Sequence, residues 1–127
     1  MPQRIFALAL TATLLAGCGK QQPITSGGRT ASFWVEALQK PDVELRRKAA
    51  TKLGPLILMH DDALPALLGA LRDGDSQVRA RAAWCLGVYT GPRAQDVLPA
   101  LNEVRQKDQD AGVRDAADKA LERLSSS

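Results

Sequence analysis

The clearest pattern in this chain is a set of apolar stripes at helical spacing. Val78, Ala82, Cys85, Leu86 and Tyr89 recur every three or four residues after Asp75 and predict an amphipathic helix. Leu45, Ala49, Leu53 and Leu56 trace the same stripe after Asp42, and Val113, Ala117, Ala120, Leu121 and Leu124 trace it after Asp110. An Asp at the start can accept hydrogen bonds from the first free N–H groups, and it complements the positive helix end. Before each stripe runs a shorter apolar segment: Trp34 to Gln39, Leu64 to Arg72, Val97 to Lys107. Pro65 and Pro99 suit a first helical turn, where a missing N–H costs little. Asp61 or Asp62 is placed to cap the helix that begins there. Pro55, after Gly54, is expected to break or kink the long helix before it.

The stripes belong to a repeat. WVEALQKPDVELRRKAATKLG from Trp34 aligns with LLGALRDGDSQVRARAAWCLG from Leu67 at a shift of 33 residues. ALPALLGAL from Ala63 returns as VLPALNEV from Val97 at a shift of 34, and Asp75, Val78, Arg79, Ala82 and Leu86 return at a shift of 35. A period of this size marks stacked helix pairs, none able to shield its apolar face alone. The repeats span about 33–60, 61–91 and 92–124, with 125–127 as a tail. The Ala at the fifth position of each stripe lets neighbouring helices approach closely. Glu122 replaces the Gly of the other copies, and Asp115, Asp118, Lys119 and Arg123 give the last helix the polar face of a capping repeat.

The start of the chain has a different pattern. Arg4 precedes an apolar run, Ile5 to Ala16, of about a dozen residues, too short to span a bilayer as a helix. A basic start, a short apolar middle and small residues at the end predict a secretory signal peptide over 1–17. Leu15-Ala16-Gly17-Cys18 resembles the lipobox of bacterial lipoproteins. The resemblance implies that Cys18 takes a diacylglyceryl group, becomes the new N-terminus and holds the chain to a membrane of the cell envelope, on its extracytoplasmic side. A plain signal peptide cut at an Ala-x-Ala site is the nearer rival. Buried acyl chains contribute about 0.8 kcal/mol per methylene, so two or more anchor firmly. Residues 18–32, rich in Gly, Ser, Thr and Gln, read as a flexible linker after the lipidated Cys.

Over Phe33 to Leu124 the strings Asp-x-x-Val/Leu-Arg-x-x-Ala-x-x-x-Leu-Gly resemble the HEAT repeat, in the short form also found in phycobilisome lyases. That resemblance implies an all-α fold, an α-solenoid of about three helix pairs. It also implies a polar ladder between repeats, formed by Asp42, Asp75 and Asp110 with Arg46, Arg79 and Arg114. Abundant Ala and Leu, with only 4% aromatics, agree with packed helices.

The net charge of +3 falls to about +2 without Arg4, too weak and unclustered to predict nucleic-acid binding. Cys85 lies on a stripe and reads as a core residue. The single histidine, His60, stands beside Asp61 and Asp62, and one local cluster gives poor metal geometry. No base is placed beside a Ser or Cys nucleophile, so we expect no catalytic residues, metal or cofactor.

Partner contacts are expected on the ridge of the second helices. Trp84 aligns with the polar Thr51 and Lys119, off the apolar stripe. It either anchors an interface or lies flat on a neighbouring repeat, held by the stems of Arg81 or Lys52. Arg47, Lys48, Arg81 and Lys119 share these helices and suit an acidic partner or anionic headgroups. The expectation is a membrane-anchored scaffold that binds another protein. Its rivals are an envelope spacer or self-assembling module, and a lyase-like assistant that holds a chromophore or cofactor.

Overall fold

The computed structural model describes residues 22–127, so the signal segment and Cys18 lie outside the described residues. The described chain begins with a small hairpin, β1 (Thr25–Ser26) and β2 (Arg29–Thr30), paired antiparallel with Thr25 opposite Thr30. Gly27 and Gly28 turn it with φ of 61° and 76°. A two-residue turn with both φ positive matches the twist of the flanking strands and suits glycine. Six helices come next: α1 (Ala31–Ala37), α2 (Val43–Leu53), α3 (Ala63–Ala70), α4 (Ser76–Leu86), α5 (Ala94–Lys107) and α6 (Ala111–Ser126).

The caps obey the repeat. Asp42 accepts from Glu44 N–H, Asp75 from Val78 N–H and Asp110 from Val113 N–H, each at 3.0 Å. Thr30 serves α1 in the same way, accepting from Phe33 N–H at 3.4 Å. After α2 the backbone tightens into a 3₁₀ turn, Gly54–Leu56, with Pro55 in its first turn, as the Gly-Pro pair predicts.

Odd and even helices form two layers. Within each repeat α1 packs on α2, α3 on α4 and α5 on α6, while α2, α4 and α6 lie side by side in a row. The core lies between the layers. Leu53, Leu67, Leu86, Leu101, Val78, Val97 and Val113 are fully buried, and so are the fifth-position Ala49, Ala82 and Ala117. Burying such a Leu or Val contributes about 1.5–3 kcal/mol. Cys85 and Tyr89 are buried too, as their stripe positions predict, and so is Trp34 in the shorter apolar segment before the first stripe.

Three boundaries and one cap differ from the expectation. Residues 25–32 are not linker: the hairpin and the start of α1 occupy them, and Trp34 Nε1–H holds Ser26 C=O at 2.8 Å. α5 starts at Ala94, not Val97, so Pro99 lies inside the helix. α6 runs to Ser126 and absorbs most of the expected tail, with the Ser125 and Ser126 hydroxyls donating to Glu122 C=O. Asp62 occupies the cap position of α3 without a side-chain cap hydrogen bond.

Candidate protein-binding ridge

The ridge of α2, α4 and α6 is fixed by arginines that clamp the turns between repeats. Arg46, on α2, donates Nε and Nη2 to the two oxygens of Asp73 at 3.0 and 3.2 Å. Its Nη1 reaches back to Lys40 C=O at 3.0 Å. Arg79, one repeat on, does the same: its fork grips Asp108 at 2.9 and 3.1 Å, and Nη1 takes Asp73 C=O at 2.9 Å. Arg114 keeps the backward bond, to Asp108 C=O at 2.7 Å.

The expected ladder is therefore corrected. Its arginines stand where predicted, but the acids gripped by Arg46 and Arg79 are Asp73 and Asp108, two residues before the caps. Asp42 and Asp110 act as caps alone, because a cap turns its carboxylate onto the N–H groups of its own helix. Asp75 does both jobs: it caps α4 and accepts a fork from Arg47 at 2.8 and 2.9 Å. Asp73 and Asp108 also brace the caps, accepting from Asp75 N–H and Asp110 N–H at 2.9 and 3.0 Å.

These contacts set the charge states. The Arg47 fork, helped by Val78 N–H, outweighs burial and holds Asp75 well below the usual carboxylate range. Burial pushes Asp108 up, but the Arg79 fork and Asp110 N–H together outweigh it and leave the carboxyl below that range. The paired arginines are raised in turn by the hydrogen bonds they donate to their aspartates. Burial pushes the Cys85 thiol up to about 11, where it is a poor nucleophile at neutral pH.

The candidate contact residues divide. Trp84 is 55% exposed on α4, and Val88, one turn on, is 50% exposed. The residue that holds Trp84 is neither Arg81 nor Lys52: Arg123 of α6 lies with its guanidinium carbon 3.4 Å from the ring centre. Arg81 reaches back to Thr51 Oγ1 at 3.4 Å. Lys48, its equivalent in the first repeat, reaches back over the Trp34 ring at 6.0 Å. Lys119 is paired with Asp115 at 2.9 Å. Arg47 does not present a free charge, since Asp75 and Glu44 both hold it. The ridge thus brings together Trp84, Arg81 and two residues that the sequence pattern did not place at a partner contact, Arg123 and Val88. The repeat offset of 35 aligns Val88 with Arg123 and was the available signal.

His60 lies in the loop between the first two repeats, its Nε2 buried without a protein hydrogen-bond partner among the described residues. A separate groove of about 480 Å³ lies on the opposite layer, where α3 and α5 stand apart, with Leu68, Leu71, Ala100 and Val104 in its lining.

Two layers of antiparallel helix pairs, stacked in one direction and clamped through their turns, define an α-solenoid. A family model of HEAT repeats matches residues 31–122, and the chain belongs to that family. Among solved structures it is similar to the complex of CpcE and CpcF of phycocyanin lyase from Nostoc sp. PCC7120, with a TM-score of 0.66 and 30% identity over 83% of this chain and 41% of that one. It is also similar to human deoxyhypusine hydroxylase in complex with glycerol, with a TM-score of 0.64 and 27% identity over 80% of this chain and 34% of that one. The chain thus spans less than half the length of either. A comparison with curated proteins finds no match.

Proposed function

We propose that this chain is a membrane-anchored lipoprotein of the cell envelope, held through Cys18 on the extracytoplasmic side, whose solenoid binds another protein and does no catalysis. The observation that carries the binding reading is Trp84, more than half exposed on an ordered helix with Arg123 stacked upon it. An aromatic ring fixed by a cation presents apolar area at little entropic cost, and Trp and Arg dominate interface hot spots. Arg81 and Arg123 leave the ridge positive, so it suits an acidic segment bearing an apolar residue. The likeness to CpcE and CpcF, solved as a complex, adds support by analogy.

The test is recovery of a stoichiometric partner from detergent-solubilised membranes. Trp84→Ala, folded by circular dichroism, should weaken capture at least about thirtyfold, as expected for one hot-spot residue. Unchanged capture would remove Trp84 from the interface. Intact mass of the membrane-extracted chain tests the anchor: the mature protein should begin at Cys18 and carry added acyl mass.

A second reading, self-assembly, is favoured by the groove of about 390 Å³ at the third repeat, which Leu98, Leu121 and Leu124 help to line. Concentration-dependent sedimentation of the purified chain would select it. A lyase-like assistant role is favoured by the likeness to phycocyanin lyase, and pigment bound to the purified protein would select that.

A further inference from the structure

Seven large apolar side chains stand exposed in the described residues, and four of them, Ile24, Phe33, Leu58 and Met59, belong to the first repeat and its hairpin. Phe33 is partly covered: Arg29 stacks 4.8 Å above its ring. Ile24, Leu58 and Met59 are 47%, 56% and 59% exposed. They lie on the edge of the solenoid where α2 ends, and Leu58 also borders the turn Gly91–Arg93 between the second and third repeats. β1, which Ile24 leads into, packs against the 3₁₀ turn Gly54–Leu56, and Leu58 and Met59 leave that same turn. Met59 N–H still bonds Leu56 C=O at 3.0 Å. A Cβ on Gly27 would meet Lys52 Cε at 2.9 Å, so the hairpin tip rests on the end of α2.

The length of the tether decides what this end faces. Seven residue steps separate Cys18 from Thr25, the first residue of β1. They reach at most about 25 Å when fully extended, and about 15 Å as a coil. A domain of this size is roughly 30 Å across. A tether shorter than the domain is wide keeps the hairpin end against the surface that holds the lipid. Arg29 and Lys52 lie near this end, but so do the exposed Asp61 and Asp62, so headgroup charge has little net hold there. The apolar side chains do.

We propose that Ile24, Leu58 and Met59 seat the hairpin end of the solenoid in the interfacial layer of the bilayer that carries the Cys18 lipid. The inference rests on the lipid-anchor reading above. Three side chains are a weak membrane signal alone, but the tether makes the contact intramolecular, and a weak contact then suffices.

Met1 and Met59 are the only methionines in the sequence, and cleavage before Cys18 leaves Met59 alone. The full mature chain is extracted from membranes, its intact mass recorded, and it is reconstituted in phosphatidylcholine vesicles. Peroxide oxidation of Met59 is then monitored by mass spectrometry. Wild type should oxidise about fivefold more slowly than Ile24→Asp/Leu58→Asp in the same vesicles, since the interface shields a side chain that it buries. Should the double variant misfold, the single variant Ile24→Asp, at an exposed site before β1, gives the reference, and Met59 of the wild type should still oxidise more slowly. Equal rates with acyl mass on Cys18 overturn the seating and leave the anchor standing. A chain without acyl mass on Cys18 overturns both.

Discussion

The two junctions between repeats are built on one template and finished differently. At both, an arginine fork grips the aspartate two residues before the next cap. At both, the glycine after the long helix meets a small residue of the next one: Gly54 faces Cys85, and Gly87 faces Ala120, which is Cys85 moved on by one repeat. The first junction then adds a second ion pair, Arg47 with Asp75. At the second junction Ala80 takes the place of Arg47, and the additional contact is Arg123 on Trp84. One junction gains a second ion pair, whereas the other leaves an aromatic ring facing out.

The glycines should give the largest effects. A Cβ at Gly87 would lie 2.8 Å from Ala120 Cα, which is backbone and moves only with its helix. Gly87→Ala should cost about 2–3 kcal/mol in chemical denaturation, the usual range for overpacking. A Cβ at Gly54 would meet Cys85 Sγ at 2.7 Å, a side-chain end that can turn aside. Gly54→Ala should therefore cost less. Adding Cys85→Ala should recover part of the loss, so a double-mutant cycle should give a coupling of at least ~0.5 kcal/mol. Equal costs at the two glycines would mean that the junctions are not packed as differently as the contacts indicate.

Next in size is the arginine fork. Arg79 and Asp108 have side chains only 17% and 8% exposed, and no second ion pair spans their junction at the Ala80 position. Arg79→Ala should cost about 2 kcal/mol, since it strands a mostly buried carboxylate. Arg46→Ala should lower the melting temperature less, because Arg47 and Asp75 still join the first two repeats. The reverse order would show that the forks do not hold the junctions together.

This template also explains which features were legible in the sequence. The stripes, the caps, the fifth-position alanines and the fold were, because each recurs at the repeat period and depends on its own helix. The fork's acid was not. Asp73 and Asp108 align with Lys40 in the first repeat, which has no preceding arginine to serve, so no threefold pattern marks the position. Glu122 was legible too: it takes the place of Gly54 and Gly87, as a capping repeat requires, and it stands exposed. The hairpin carried a local sign, Gly27-Gly28 between Thr and Arg residues, yet it is held by Trp34, a contact no local pattern shows. The start of α5 was hidden for another reason: Arg93 at its cap makes no side-chain cap bond. At the candidate ridge, alignment set Trp84 apart from the core, but its cover by Arg123 depends on how α6 packs.

Acid should act on both junctions. Asp75 and Asp108 have folded-state pKa values below the ordinary 3.8, so the folded chain takes up protons less readily than the unfolded one. Their contribution is complete above the ordinary carboxylate value and is lost as pH falls below it through the folded values. The melting temperature should hold down to about pH 4 and then drop. Asp75→Asn should flatten the drop more than Asp108→Asn, because burial opposes the shift most strongly at Asp108. An acid limb unchanged in both variants would place the sensitive carboxylates elsewhere.

The smallest effect on stability should come from the residue given the largest role in binding. Trp84 is mostly in water, and an exposed cation–π contact contributes about 0.5–1 kcal/mol. Trp84→Ala should therefore cost less than about 1 kcal/mol, below Arg79→Ala at the same junction, with Trp84→Phe in between. A core side chain does the opposite, since its removal is felt first in stability. If denaturation shows Trp84→Ala to cost as much as Gly87→Ala, the ring is a strut of the second junction, and its exposure says nothing of a partner. A small stability cost with a large loss of capture would assign the open side of that junction to binding, and the first junction, with its second ion pair, to holding the stack together.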